Sequence, residues 1–79
     1  SLSVFPNPAQ DKLFIAAEKR AGDILSVTIE NALGEMMKQA EWEPVSTFMN
    51  VNLSDFQSGL YTVRIQTTKG VVVKKFVKL

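Results

Sequence analysis

Leu53-Ser54-Asp55-Phe56-Gln57-Ser58-Gly59-Leu60-Tyr61-Thr62-Val63-Arg64-Ile65 reads as a tight corner feeding a strongly alternating strand. Gly59 supplies backbone freedom that a residue with a Cβ lacks. After it, Tyr61, Val63 and Ile65 point one way, and Thr62 and Arg64 the other. An alternation this regular places the strand at the centre of a core.

Working outward, the same period of two recurs. Leu25, Val27 and Ile29 alternate with Ser26, Thr28 and Glu30, and Met49, Val51 and Leu53 alternate with Asn50 and Asn52. Lys12 to Ala16 offers Leu13 and Ile15 to one face and Phe14 to the other. Leu2 to Phe5 is short and stops at Pro6-Asn7-Pro8, since two prolines so close cannot donate to a ladder. Asn31-Ala32-Leu33-Gly34 suits a hairpin turn, because Asn tolerates left-handed geometry and Gly prefers it. Glu35 to Glu41 is the returning strand, with Met37 inward and Lys38 outward. Thr67-Thr68-Lys69-Gly70 closes a second hairpin.

Three segments read less cleanly. Ala16 to Asp23 is a charged loop, with a helical turn as the alternative. Ser54 to Ser58 suits one helical turn capped by Ser54 or Asp55. In Val71 to Leu79, an unbroken register puts Val71, Val73, Lys75 and Val77 on one face. A bulge near Lys74-Lys75 would instead bring Val73 and Phe76 together. About seven short strands separated by turn signals argue an all-β fold, an antiparallel β-sandwich. Gly-x-Tyr where a strand begins also resembles the tyrosine corner of immunoglobulin-like sandwiches, in which the ring is buried and its hydroxyl ties down the corner backbone.

The chain has 79 residues, enough for one domain, and 46% of them are hydrophobic, enough for one core. It has no Cys and no His, which removes disulfides, the common zinc sites and every His-dependent triad. The longest apolar run, Leu13 to Ala17, is far short of the ~20 residues of a membrane span. Nothing at the start resembles a signal peptide, so the chain reads as one piece of a larger precursor. Residues 1–55 hold eight acidic and four basic side chains, a balance of −4; residues 56–79 hold Arg64, Lys69, Lys74, Lys75 and Lys78 and no acid, a balance of +5. Such asymmetry marks either a face that meets an acidic partner or lysines that keep an edge strand from aggregating.

The chemistry-bearing residues do not assemble into a reactive pattern. No pair of carboxylates is spaced for acid–base work. Asp11, Asp23 and Asp55 lack the ligand spacing of a calcium loop. The glycines are isolated, so no phosphate loop is present, and the serines have no His beside them. The basic last strand carries only Phe76 as a stacking aromatic, which argues against nucleic acid. The expectation is a protein that is not an enzyme and has no cofactor or metal.

The order of motifs carries a resemblance. Val4-Phe5-Pro6-Asn7-Pro8-Ala9 and Asp11-Lys12-Leu13-Phe14-Ile15 open the chain. Val27 to Gly34 follows, then Val51-Asn52-Leu53 with Ser58 to Ile65, and finally Lys74-Lys75-Phe76-Val77-Lys78. This set, from Ser3 to Leu79, resembles the C-terminal sorting domain of the type IX secretion system of Bacteroidetes. Departures are small: Glu35 follows Gly34 where the family often has Lys or Arg, Phe56 replaces an aliphatic residue, and Trp42-Glu43-Pro44 is unfamiliar. The resemblance implies an immunoglobulin-like sandwich of residues 1–79, attached behind a secreted cargo domain. It would fold in the periplasm, address the cargo to an outer-membrane translocon, and be cut off by a surface sortase. The cargo would end at the cell surface or be secreted.

Mapped onto this sequence, the implied recognition elements are Pro6, Asn7 and Pro8, the corner at Gly59 and Tyr61, and the strand bearing Lys74, Lys75 and Lys78. An edge strand there could add to a partner's sheet while its lysines meet acidic groups, and paired edges would also give a homodimer. Each element has a structural reading as well: the prolines end a strand, Gly59 permits a turn, and Tyr61 belongs to the core. Two rival functions remain. One is a carbohydrate-binding or adhesive module with Trp42 as its platform, although such sites use more than one ring. The other is a fibronectin-like spacer, which would have further sequence after it.

Overall fold

The computed structural model describes residues 2–18, 23–41 and 47–79. They form seven strands: β1 Leu2–Phe5, β2 Lys12–Ala17, β3 Ile24–Glu30, β4 Met36–Glu41, β5 Phe48–Asn52, β6 Gly59–Thr67 and β7 Gly70–Lys78. Two antiparallel sheets pack face to face, one ordered β1-β2-β5 and the other β4-β3-β6-β7. This is an immunoglobulin-like sandwich in which the fourth strand has joined the sheet of β3, β6 and β7.

The core forms where the period-two faces of the strands meet. Leu13 and Ile15 of β2, Val27 and Ile29 of β3, Val63 and Ile65 of β6 and Phe76 of β7 are all buried. Burying an aliphatic side chain of this size contributes about 1.5–3 kcal/mol, and with no disulfide these contacts hold the domain together. The alternation of β6 is as the sequence indicates, and β6 lies between β3 and β7.

Several details differ from the sequence reading. In β3 the register shifts between Ile24 and Ser26, so Ile24 enters the core and Leu25 is 52% exposed. A bulge inserts one residue and reverses the face of everything before it, which simple alternation cannot reveal. In β4, Lys38 stands opposite Ile29 on the core side of the sheet, and Met37 is exposed. That strand is an edge, and both side chains are exposed. Ser54 to Ser58 holds no helical turn. Asn52 rather than Ser54 or Asp55 supplies the side-chain acceptor, its Oδ1 taking the Ser54 N–H at 2.9 Å, while the Phe56 N–H donates to Leu53 O. In β7 the pairing with β6 is unbroken from Gly70 to Lys78, so the bulge near Lys74-Lys75 is absent and Val73 faces away from Phe76. Lys19 to Gly22 of the charged loop and Trp42-Glu43-Pro44 lie outside the described residues.

Both turns follow their residue chemistry. Asn31 Oδ1 accepts the N–H groups of Leu33 and Glu35, and its Nδ2 donates to Glu35 Oε1. Gly34 sits at φ +82°, where a β-carbon would crowd the backbone. At the second hairpin, buried Thr67 Oγ1 donates to Gly70 O and accepts the Lys69 N–H, so its hydroxyl is satisfied.

Candidate functional site

The corner at the start of β6 is built as the sequence indicates. Tyr61 is 5% exposed, and its hydroxyl donates to Gln57 O at 2.7 Å, four residues upstream. Its ring stacks on Phe76 at 5.5 Å between centroids and meets Phe56 at 5.2 Å. Gly59, at φ +153°, turns the chain into the strand, and nothing lies within 4 Å of where its Cβ would be. The glycine is therefore required by backbone angle alone. Tyr61 belongs to the core; only the corner's outer wall is accessible. That wall lines an open groove of about 440 Å³ between the Asn31–Leu33 turn and the Asp55–Leu60 connection.

Pro6, Asn7 and Pro8 do more than end β1. The Phe5-Pro6 and Asn7-Pro8 peptide bonds are both cis. The segment they shape runs along the end of β7. Asn7 Oδ1 accepts the Val77 N–H at 3.0 Å. The Ala9 N–H donates to Val77 O, and the Leu79 N–H donates to Ala9 O, both at 2.8 Å. Ala9 is completely buried and forms a parallel bridge with Lys78. Lys78 in turn pairs with Gly59. Pro6-Asn7-Pro8, Gly59 and Lys78 thus share one corner of the sandwich, although they span the sequence from end to end.

The three lysines do not form a single patch. Residues two apart share a face, so Lys74 and Lys78 lie on the side of Phe76, and Lys75 lies on the outer face with Val71, Val73 and Val77. Lys74 and Lys75 are exposed. Lys78, expected to be exposed, is only 9% exposed, and its Nζ donates to Leu79 O at 2.8 Å. It stands opposite Gly59, which has no side chain to compete for that space, and under the Ala9 bridge. The basic, accessible part of β7 is therefore Lys74-Lys75. Arg64, one strand over, donates from Nε to Glu30 Oε1 at 3.0 Å.

The sequence reading missed an aromatic row. Phe5, Phe14 and Phe48 sit side by side on the outer face of the three-stranded sheet, at 5.7 Å and 5.5 Å between successive centroids. Phe5 and Phe48 are exposed. The signal was available: each Phe occupies an outward position of its strand, and the registers Phe5↔Phe14 and Ala16↔Phe48 set them as neighbours. Phe14 and Phe48 are stacked, so faces that a sugar would need are turned on one another. Among the described residues no three side chains of the ligating types cluster to hold a metal ion.

A buried tyrosine corner, a proline-flanked clamp and a basic outer strand match the motif order already noted. A family model for a secretion system C-terminal sorting domain matches residues 3–79. The chain belongs to that family. Among solved structures, the sorting domain is similar to PorZ, an essential bacterial surface component of the type IX secretion system of Porphyromonas gingivalis. The TM-score is 0.78 at 25% identity, over 100% of this chain and 11% of that one. The sorting domain therefore spans about a tenth of that relative's length. No curated protein matches. The family is a type IX secretion sorting signal, a targeting module rather than a catalyst, and such a signal implies export to the cell surface or beyond.

Proposed function

We propose that residues 1–79 are a single sorting domain, excised from a larger secreted precursor, that addresses an N-terminal cargo to the type IX outer-membrane translocon. The precursor crosses the periplasm with this domain folded, and a surface sortase removes the domain on export. The observation that carries the reading is the family match across residues 3–79. The accessible features that suit recognition are the Lys74-Lys75 strand and the corner that Pro6-Asn7-Pro8 and Gly59 share through the end of β7. Charge on an edge strand steers an acidic partner and fixes its register. The domain itself performs no chemistry in this scheme.

The test is to fuse residues 1–79 behind a reporter that carries a signal peptide, in a Bacteroidetes host with an intact type IX system. The reporter should reach the medium or the cell surface, shortened by the mass of the domain. In a host lacking the translocon it should stay in the periplasm at full length. Equal retention in both hosts would remove the proposal.

A further inference from the structure

The free edge of β7 is divided in two by the segment after β1. In an antiparallel strand the N–H and C=O of one residue point to the same side, and successive residues alternate. Val77 and Leu79 turn theirs away from β6, since these groups bond Asn7 and Ala9 instead. By the same alternation Val71, Val73 and Lys75 turn their N–H and C=O outward, and no described residue takes them. The clamp covers the last third of the edge and leaves roughly five residues open, about 17 Å of strand.

What stands on that open edge is specific. Val71 and Val73 are 54% and 46% exposed on the outer face, followed by Lys75 on the same face. Lys74 projects on the other face, and no acid occurs anywhere in residues 56–79. The other edges differ. β1 has four residues and ends at Pro6. β4 mixes Lys38 with Glu41 and is bulged at Ile29/Glu30, which turns an edge away from pairing. β5 carries no charged side chain.

Resting on the sorting-domain reading, we infer that Val71–Lys75 takes up an extended, acidic segment of a partner protein as an added strand. Backbone hydrogen bonds to Val71, Val73 and Lys75 supply the attachment. Apolar residues of the partner cover Val71 and Val73, and carboxylates face Lys74 and Lys75. The clamp fixes where that added strand must stop.

Fluorescence anisotropy with an eight-residue peptide of alternating Glu and Val, against one of alternating Lys and Val, tests this on the 79-residue chain. The acidic peptide should bind, and binding should weaken as salt rises. Val73→Pro removes an outward donor without touching the ladder to β6, and edge strands tolerate such a proline. It should lower affinity roughly tenfold or more while the far-UV spectrum stays native. Val73→Thr, which keeps the N–H, should bind as the parent does. Lys74→Glu with Lys75→Glu should reverse the preference between peptides, which keeps the test valid if Val73→Pro misfolds. No binding of the acidic peptide, equal binding of both peptides, or insensitivity to Val73→Pro would overturn the inference. Self-association that Val73→Pro abolishes would also overturn it, by making a second copy the occupant. In the reporter assay, export of wild type and Val73→Pro alike sinks the edge and leaves the sorting reading standing. Failure of wild-type export sinks the sorting reading, while the titration still judges the edge.

Discussion

Replacing Tyr61 by Phe removes one oxygen and leaves the packing on Phe56 and Phe76 in place. The lost interaction is the 2.7 Å bond from the hydroxyl to Gln57 O. A bond of this kind contributes about 0.5–1.5 kcal/mol net, and Gln57 is an exposed residue whose carbonyl water can reach once the hydroxyl is gone, which keeps the cost at about 1 kcal/mol. The entropy of unfolding for 79 residues is about 0.17 kcal/mol/K at the midpoint. The variant should therefore melt about 6 °C below the parent. Circular dichroism during heating and urea titration gives both quantities. Amide exchange should quicken at Ser58 to Leu60, where the corner is no longer tied, and stay unchanged in β2. Tyr61→Leu, which also removes the stacked ring, should cost about 2 kcal/mol or more. A Tyr61→Phe protein that melts within a degree of the parent, with unaltered exchange at the corner, would refute the claim that the hydroxyl holds it.

Further outcomes follow from the same geometry. Gly59→Ala should cost about 1–2 kcal/mol by urea titration through backbone angle alone, and a D-alanine placed there by chemical synthesis should recover it. Asn7→Ala should cost about 0.5–1 kcal/mol and speed exchange of the Val77 amide, measured by NMR. Lys78→Glu should destabilise the fold by about 1–3 kcal/mol because the side chain is covered, whereas Lys74→Glu with Lys75→Glu should leave the melting curve nearly unchanged. Reversing all three lysines together would thus confound recognition with folding, and only the pair at 74 and 75 is a clean test of export. A double-mutant cycle on Arg64 and Glu30 should return no more than about 0.5 kcal/mol, since the side chains are 51% and 22% exposed.

Where a strand is central and uninterrupted, its residues announced it: Tyr61, Val63 and Ile65 are inward because nothing but alternation acts on β6. The corner was equally plain, because Gly and Tyr at that spacing have few other uses. Readings failed where one residue was inserted or where distant segments meet. The shift beside Leu25 changed faces through backbone geometry that no side chain encodes. Lys38 faces the core side because the register shift beside Glu30 sets it opposite Ile29, and it stays exposed on an edge strand. Lys78 looked like a solvent-facing cation among others. Its burial depends on Ala9 and Gly59, which lie 69 and 19 residues away in sequence, and no local pattern reports such a meeting. The division of the β7 edge was hidden for the same reason, since Asn7 reads locally as a turn residue.

The bridge between Ala9 and the end of β7 bears on when this domain can form. Phe76, wholly buried in the interior, and the carbonyl and amide that receive Ala9 come from the final four residues. A chain emerging N-terminus first therefore cannot complete this body until β7 is free of the ribosome or the membrane pore. Contacts that join opposite ends of a chain also form late and slowly. A chain that lacks the end of β7 is left with an open interior, so closure of the sandwich reports that synthesis and delivery have reached that strand.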